Sequence, residues 1–171
     1  MNLFTGESAD AFFGGEVPAA VHALLHQAAA SAPAVRGTLL WTAQALAPQC
    51  LAIYYTLYKH HAGQRELDLA ERAALRGLAE AAQQAGLPAG LPQLWPADAA
   101  LPAATVWASG PGRFWLFTLK ALAFISLRSG RPEVAQACLA QIERLAPGAR
   151  LGDEVTRGLL DAARSASPGG V

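Results

Sequence analysis

The stretch Arg113-Phe114-Trp115-Leu116-Phe117-Thr118-Leu119-Lys120-Ala121-Leu122-Ala123-Phe124-Ile125-Ser126-Leu127-Arg128 decides how this chain folds. Pro111-Gly112 opens it and Ser129-Gly130 closes it. At about 100° per residue, apolar side chains cover almost the whole circumference, and Arg113 and Lys120 share one narrow line. A helix this apolar either crosses a membrane or is wrapped by other helices. A bilayer needs roughly 20 apolar residues, and here Lys120 interrupts a shorter run. The expectation is therefore a buried central helix and no membrane association.

Composition widens that reading to the whole chain. Hydrophobic residues make up 53% of it and charged residues 15%, which argues for a packed core over disorder. With 171 residues, one domain can bury such a core. Alanine and leucine dominate and β-branched residues are few, so local propensity favours an all-α fold. Thirteen basic residues balance thirteen acidic ones without a basic cluster, so nucleic acid is not an expected partner. Cys50 and Cys138 lack the close spacing of a disulfide framework or zinc knuckle, and read as buried reduced thiols. The first residues have neither a basic region nor an apolar core, so no signal peptide is expected and the location reads as cytoplasmic.

Proline and glycine punctuate the rest. Apolar residues at helical spacing predict helices over about 18–31, 35–47, 49–61, 66–84, 132–146 and 153–165, besides 113–128. The segment 87–111 holds Pro88, Pro92, Pro96, Pro102 and Pro111 with Trp95 and Trp107. It reads as an ordered strap across the helices, held by burial of its two indoles. Residues 1–16 read as an arm anchored by Phe4, Phe12 and Phe13, with a mobile arm that docks on a partner as the alternative, and residues 166–171 as a frayed tail. Val155, Leu159 and Leu160 are expected to face inward, and Arg157 to pair with Asp153 and Asp161 along the last helix.

The pattern Gly130-x4-Ala135-x3-Leu139-x2-Ile142-x4-Pro147 carries the strongest organisational signal. It places a glycine turn before a small residue at a helix crossing, then large apolar residues, then a terminating proline. Leu40, Ala43 and Pro48 repeat its tail, while Gly63 precedes Ala70 by two residues more than the pattern asks. This resembles the second half of a tetratricopeptide unit. The resemblance implies antiparallel helical hairpins, either a regular solenoid or an irregular bundle of about seven helices.

A narrower likeness rests on Tyr54-Tyr55-Thr56-Leu57-Tyr58-Lys59-His60, Ala70-Glu71-Arg72, Ala81-Ala82-Gln83-Gln84-Ala85-Gly86, the 113–125 run and Gly152-x-x-Val155-x-Arg157-x-Leu159. Across about 45–160 the chain is similar to a small tetratricopeptide-like family associated with bacterial nitrogen-fixation gene sets. The likeness implies an accessory protein that touches a nitrogenase component or its maturation machinery.

Two sets of residues offer function. Tyr54, Tyr55, Tyr58 and Lys59, extended by Arg113 and Lys120, read as a partner-binding groove on the first helices of successive hairpins. Tyrosines buried in the core are the competing reading. His22 and His26, four apart, with His60-His61 and a thiolate from Cys50 or Cys138, are weak candidates for a metal or small-ligand carrier. A nucleophile elbow, phosphate loop or usable carboxylate pair is not apparent in the sequence, so neither enzymatic activity nor a cofactor is expected. The leading expectation is a non-enzymatic adaptor; homodimerisation through leftover apolar surface is also open.

Overall fold

A computed structural model describes residues 13–88, 90, 103–147 and 154–166. The chain forms α1 (Ala19–Ala30), α2 (Pro33–Leu46), α3 (Leu51–Gly63), α4 (Leu67–Ala85), α5 (Ala103–Ala108), α6 (Gly110–Arg128), α7 (Pro132–Leu145) and α8 (Glu154–Ala166). The fold is all-α, and no strand occurs among the described residues. The eighth helix is α5, a short turn of helix inside the proline-rich segment. Proline sits in the first turn of α2, α6 and α7, where the missing N–H has no intrahelical partner to lose. No described helix is long and apolar enough to cross a membrane.

The run that begins at Arg113 is the hub. Ser109 caps its helix by accepting a hydrogen bond from the Gly112 amide at 3.0 Å, so α6 starts earlier than its apolar pattern does. Phe114, Trp115, Leu116, Thr118, Leu119, Ala123 and Ser126 are all buried. From α1 to α4 each helix packs on the one before it, α4 then packs on α6, and α6 meets α3, α4, α5, α7 and α8. A side chain at Gly112 would run into the Val106 carbonyl, which is what lets α5 lie against the start of α6.

The hairpins α3–α4 and α6–α7 share one turn. After α6, Ser129, Gly130 and Arg131 amides donate to the carbonyls of Ile125, Leu127 and Ser126. After α3, Gln64, Arg65 and Glu66 donate to His60, Ala62 and His61 in the same pattern. Gly130 takes φ 72° in one, and Arg65 takes φ 62° in the other. Arg65 therefore occupies the glycine position, and Ala70 follows it at the spacing by which Ala135 follows Gly130. The apparent slip of two residues disappears, because Gly63 is still helical and is not the turn residue. Both alanines are fully buried at their helix crossings. The next contact on α4 is closer still, since a Cβ at Gly77 would lie 2.7 Å from that of Tyr54.

Other expectations need correction. Val155 and Leu159 face outward at 70% and 43% exposure, while Thr156 and Leu160 are buried. The end helix docks on α6 and α7, and among the described residues no further helix covers its second apolar stripe. Arg157 pairs with Glu143 of α7 at 3.4 Å; its expected partner Asp153 lies outside the described residues. Trp107 is 38% exposed, stacked on Phe117, and so is only partly buried. Phe13 is buried and anchors the chain before α1. Phe4, Phe12, Trp95, most of the expected strap and the tail beyond residue 166 lie outside the described residues.

Candidate functional site

The predicted groove residues separate into two groups. Tyr54 is buried, accepts a hydrogen bond from Gln44 Nε2 at 3.1 Å and donates to the Pro48 carbonyl at 2.7 Å. Tyr58 is buried with its hydroxyl beside Thr118 of α6, and burial pushes its phenol far above the ordinary tyrosine value. Burial also raises Tyr54, with the Gln44 hydrogen bond acting against it. These two are core residues that seat α3 on its neighbours, and they are removed from the partner-binding set. The Tyr54 hydroxyl has local partners, and that is how such a ring enters a core.

Tyr55 and Lys59 do reach the surface. Lys59 Nζ donates to the Tyr55 hydroxyl at 3.3 Å and lies 4.9 Å from its ring centroid. Tyr55 meets Phe13 at 5.5 Å, Phe13 meets Phe117 at 6.0 Å, and Phe117 stacks on Trp107 at 6.5 Å. Lys120 lies over the Phe117 ring at 5.1 Å. A row of aromatic rings thus runs from α3 to α5, its inner rings Phe13 and Phe117 buried, with ammonium groups over Tyr55 and Phe117. Arg113 has a structural task here, because its guanidinium donates to the carbonyls of Trp107 and Ala108 and ties down the end of α5. Charge is segregated around this row. Helices α1, α2, α3, α5 and α6 contain no Asp or Glu, and the helical acids fall on α4, α7 and α8.

A second node forms where α2, α3 and α4 meet. The Trp41 indole N–H donates to His61 Nε2 at 3.0 Å, and His61 Nδ1 lies 2.6 Å from Glu66 Oε2. An indole can only donate, so Nε2 carries the lone pair and the Nδ1–H donates to the carboxylate. The shared turn explains the geometry. Arg65 in the left-handed conformation folds Glu66 back over His61, whose carbonyl also takes the Glu66 amide. His60 stacks edge-on against His61 with centroids 5.0 Å apart. Burial comes first, followed by the neighbouring His61 and Arg36, in lowering the His60 pKa. Arg72 and Arg76 from α4 approach the outer face of Trp41 at 5.0 and 5.5 Å. An open cleft of about 310 Å³ lies over this node.

His22 and His26 stay on the exposed side of α1 and take no part in this node. Cys50 and Cys138 are buried thiols, and burial pushes Cys138 up to about 11, which disfavours the thiolate a metal needs. Of the four histidines, His60 and His61 are gathered, with Glu66, into the one three-ligand grouping among the described residues. Sequence reasoning missed Trp41 and Glu66. Glu66 stands just past a helix end five residues after His61, but nothing in the letters marks Arg65 as the residue that reverses the chain. Compared with known proteins, the chain matches no family model, and neither curated proteins nor solved structures give a significant match.

Proposed function

We propose that the chain is a non-enzymatic cytoplasmic adaptor that binds an acidic, aromatic-containing segment of another protein along the row from Tyr55 to Trp107. The observation that carries this reading is the aromatic row with Lys59 over Tyr55 and Lys120 over Phe117, on helices that contribute no acid of their own. Phe13 and Phe117 are buried and hold the row rigid, while Tyr55 and Trp107 reach solvent and supply contact area at small entropic cost, and the lysines select negative charge and speed encounter. The likeness to nitrogen-fixation-associated proteins makes a nitrogenase component or its maturation machinery the first partner to test. Purified protein immobilised in extracts of nitrogen-fixing cells should retain such a component, and Tyr55→Ala or the pair Lys59→Glu and Lys120→Glu should release it. Retention unchanged by these substitutions would remove the row as the binding surface. Failure to retain any nitrogenase-related protein would remove the partner assignment.

A further inference from the structure

We infer that His60, His61 and Glu66 form a binding site for a first-row divalent ion of the zinc type, and that Trp41 closes the site when no ion is bound. One donor atom from each of the three residues lies within 4.8 Å of the other two. Ligands at about 2.0–2.2 Å from a tetrahedral zinc lie about 3.3–3.5 Å apart, so small side-chain rotations suffice. Two imidazoles and a carboxylate suit such an ion, with the cleft supplying room for a fourth ligand. Gly37 contributes to that room: a Cβ there would come to 3.3 Å from His60 Nε2. Arg72 lines the same cleft, which favours an anionic fourth ligand such as hydroxide or a carboxylate.

The hydrogen bonds of His61 say what must happen on binding. Trp41 now occupies the Nε2 lone pair and Glu66 receives the Nδ1 proton. Glu66 faces Nδ1, so an ion shared by His61 and Glu66 takes Nδ1 in place of the proton, and Nε2 becomes N–H and faces another donor. That exchange breaks the Trp41–His61 hydrogen bond. Ion binding and indole release are one event, so the Trp41 fluorescence reports occupancy.

The test uses the full chain with His22→Ala and His26→Ala, which removes the exposed pair that any divalent ion can find. Titration with Zn²⁺ alone, and with Co²⁺ followed by visible absorption, should give one equivalent bound and a parallel change in tryptophan emission. His60→Ala and Glu66→Gln should each weaken binding at least tenfold, with circular dichroism showing an intact fold. Trp41→Phe should bind the ion at least as tightly while the emission change disappears. Loss of all binding in the His22/His26 background, binding unaffected by His60→Ala, or an emission change that persists in Trp41→Phe would each overturn the proposal. His61→Ala removes a buried ring; should it unfold the protein, His60→Ala and Glu66→Gln decide the matter.

Discussion

The hairpins α3–α4 and α6–α7 turn in the same way and use the turn differently. After the left-handed residue comes Glu66 in one and Arg131 in the other. Glu66 reaches back into its own hairpin and engages His61. Arg131 reaches across to the neighbouring hairpin, where both its terminal nitrogens bond the Glu71 carboxylate at 2.8 and 2.9 Å. Where the first hairpin buries His61, the second buries Ser126, whose hydroxyl has no hydrogen-bond partner among the described residues. One turn is thus loaded with polar groups that face a cleft, and the other is a rivet between hairpins. The lesson is that a repeated backbone can carry a site in one copy and only architecture in the other, the choice resting on two side chains.

Substitutions can break this contrast at several depths. Trp115→Ala, in the fully buried hub of the second hairpin, should lose about 3–5 kcal/mol in a denaturant titration. His61→Ala should cost about 2–3 kcal/mol, because it removes a buried ring and strands Trp41 and Glu66. The corresponding Ser126→Ala should leave the denaturation midpoint nearly unchanged or raise it, since the hydroxyl it deletes is unsatisfied. Alkali tests the seam between the two hairpins. Tyr58 ionises in the unfolded chain near pH 10 and far higher in the folded one, so its contribution is intact below pH 10 and falls as the pH rises. The slope should approach about 1.4 kcal/mol per pH unit from this group, and Tyr58→Phe should flatten it in melting curves taken across that range.

Smaller effects sharpen the comparison. A double-mutant cycle on Glu71 and Arg131 should return a coupling of about 1 kcal/mol that shrinks with added salt, as both side chains are partly exposed. Glu71 raises the Arg131 pKa through this hydrogen-bonded pairing, so the cation persists throughout the accessible range. Arg65→Gly should gain about 0.5–1 kcal/mol by relieving a left-handed arginine, and Gly130→Ala should lose a similar amount. Equal losses at both positions in thermal melts would mean that the two turns do not share their geometry.

The hub helix and the hairpin order were legible in the sequence because they rest on periodicity and on proline and glycine, which mark the chain locally. The positive φ of Arg65 carries no such mark, so the second copy of the motif reads as slipped until the backbone is seen. Tyr54 and Tyr58 look like surface residues by chemistry and are core residues by partner, since Pro48, Gln44 and the α6 surface come from elsewhere in the chain. Val155 and Leu159 misled in the opposite direction, because an end helix has fewer neighbours than its apolar residues ask for. Of the site, His60 and His61 could be named beforehand. Trp41 could not, because its role depends on how α2 crosses α3.

The packing order around α6 also divides the molecule by cooperativity. The hub is enclosed by α3, α4, α5, α7 and α8, whereas the α1 and α2 backbones come close to each other and, through α2, to α3, with Trp41 of α2 meeting Arg72 and Arg76 of α4. Arg36 fastens this pair internally by donating to the carbonyls of Ala28, Ala29 and Ser31 at the end of α1. The α1–α2 pair therefore shares less backbone contact with the hub than the other helices do, and it should open ahead of the remainder as a foldon of lower local free energy. Its amide protons should exchange with solvent ahead of those in α6, and whatever occupies the junction beneath Trp41 sets how long the pair stays shut.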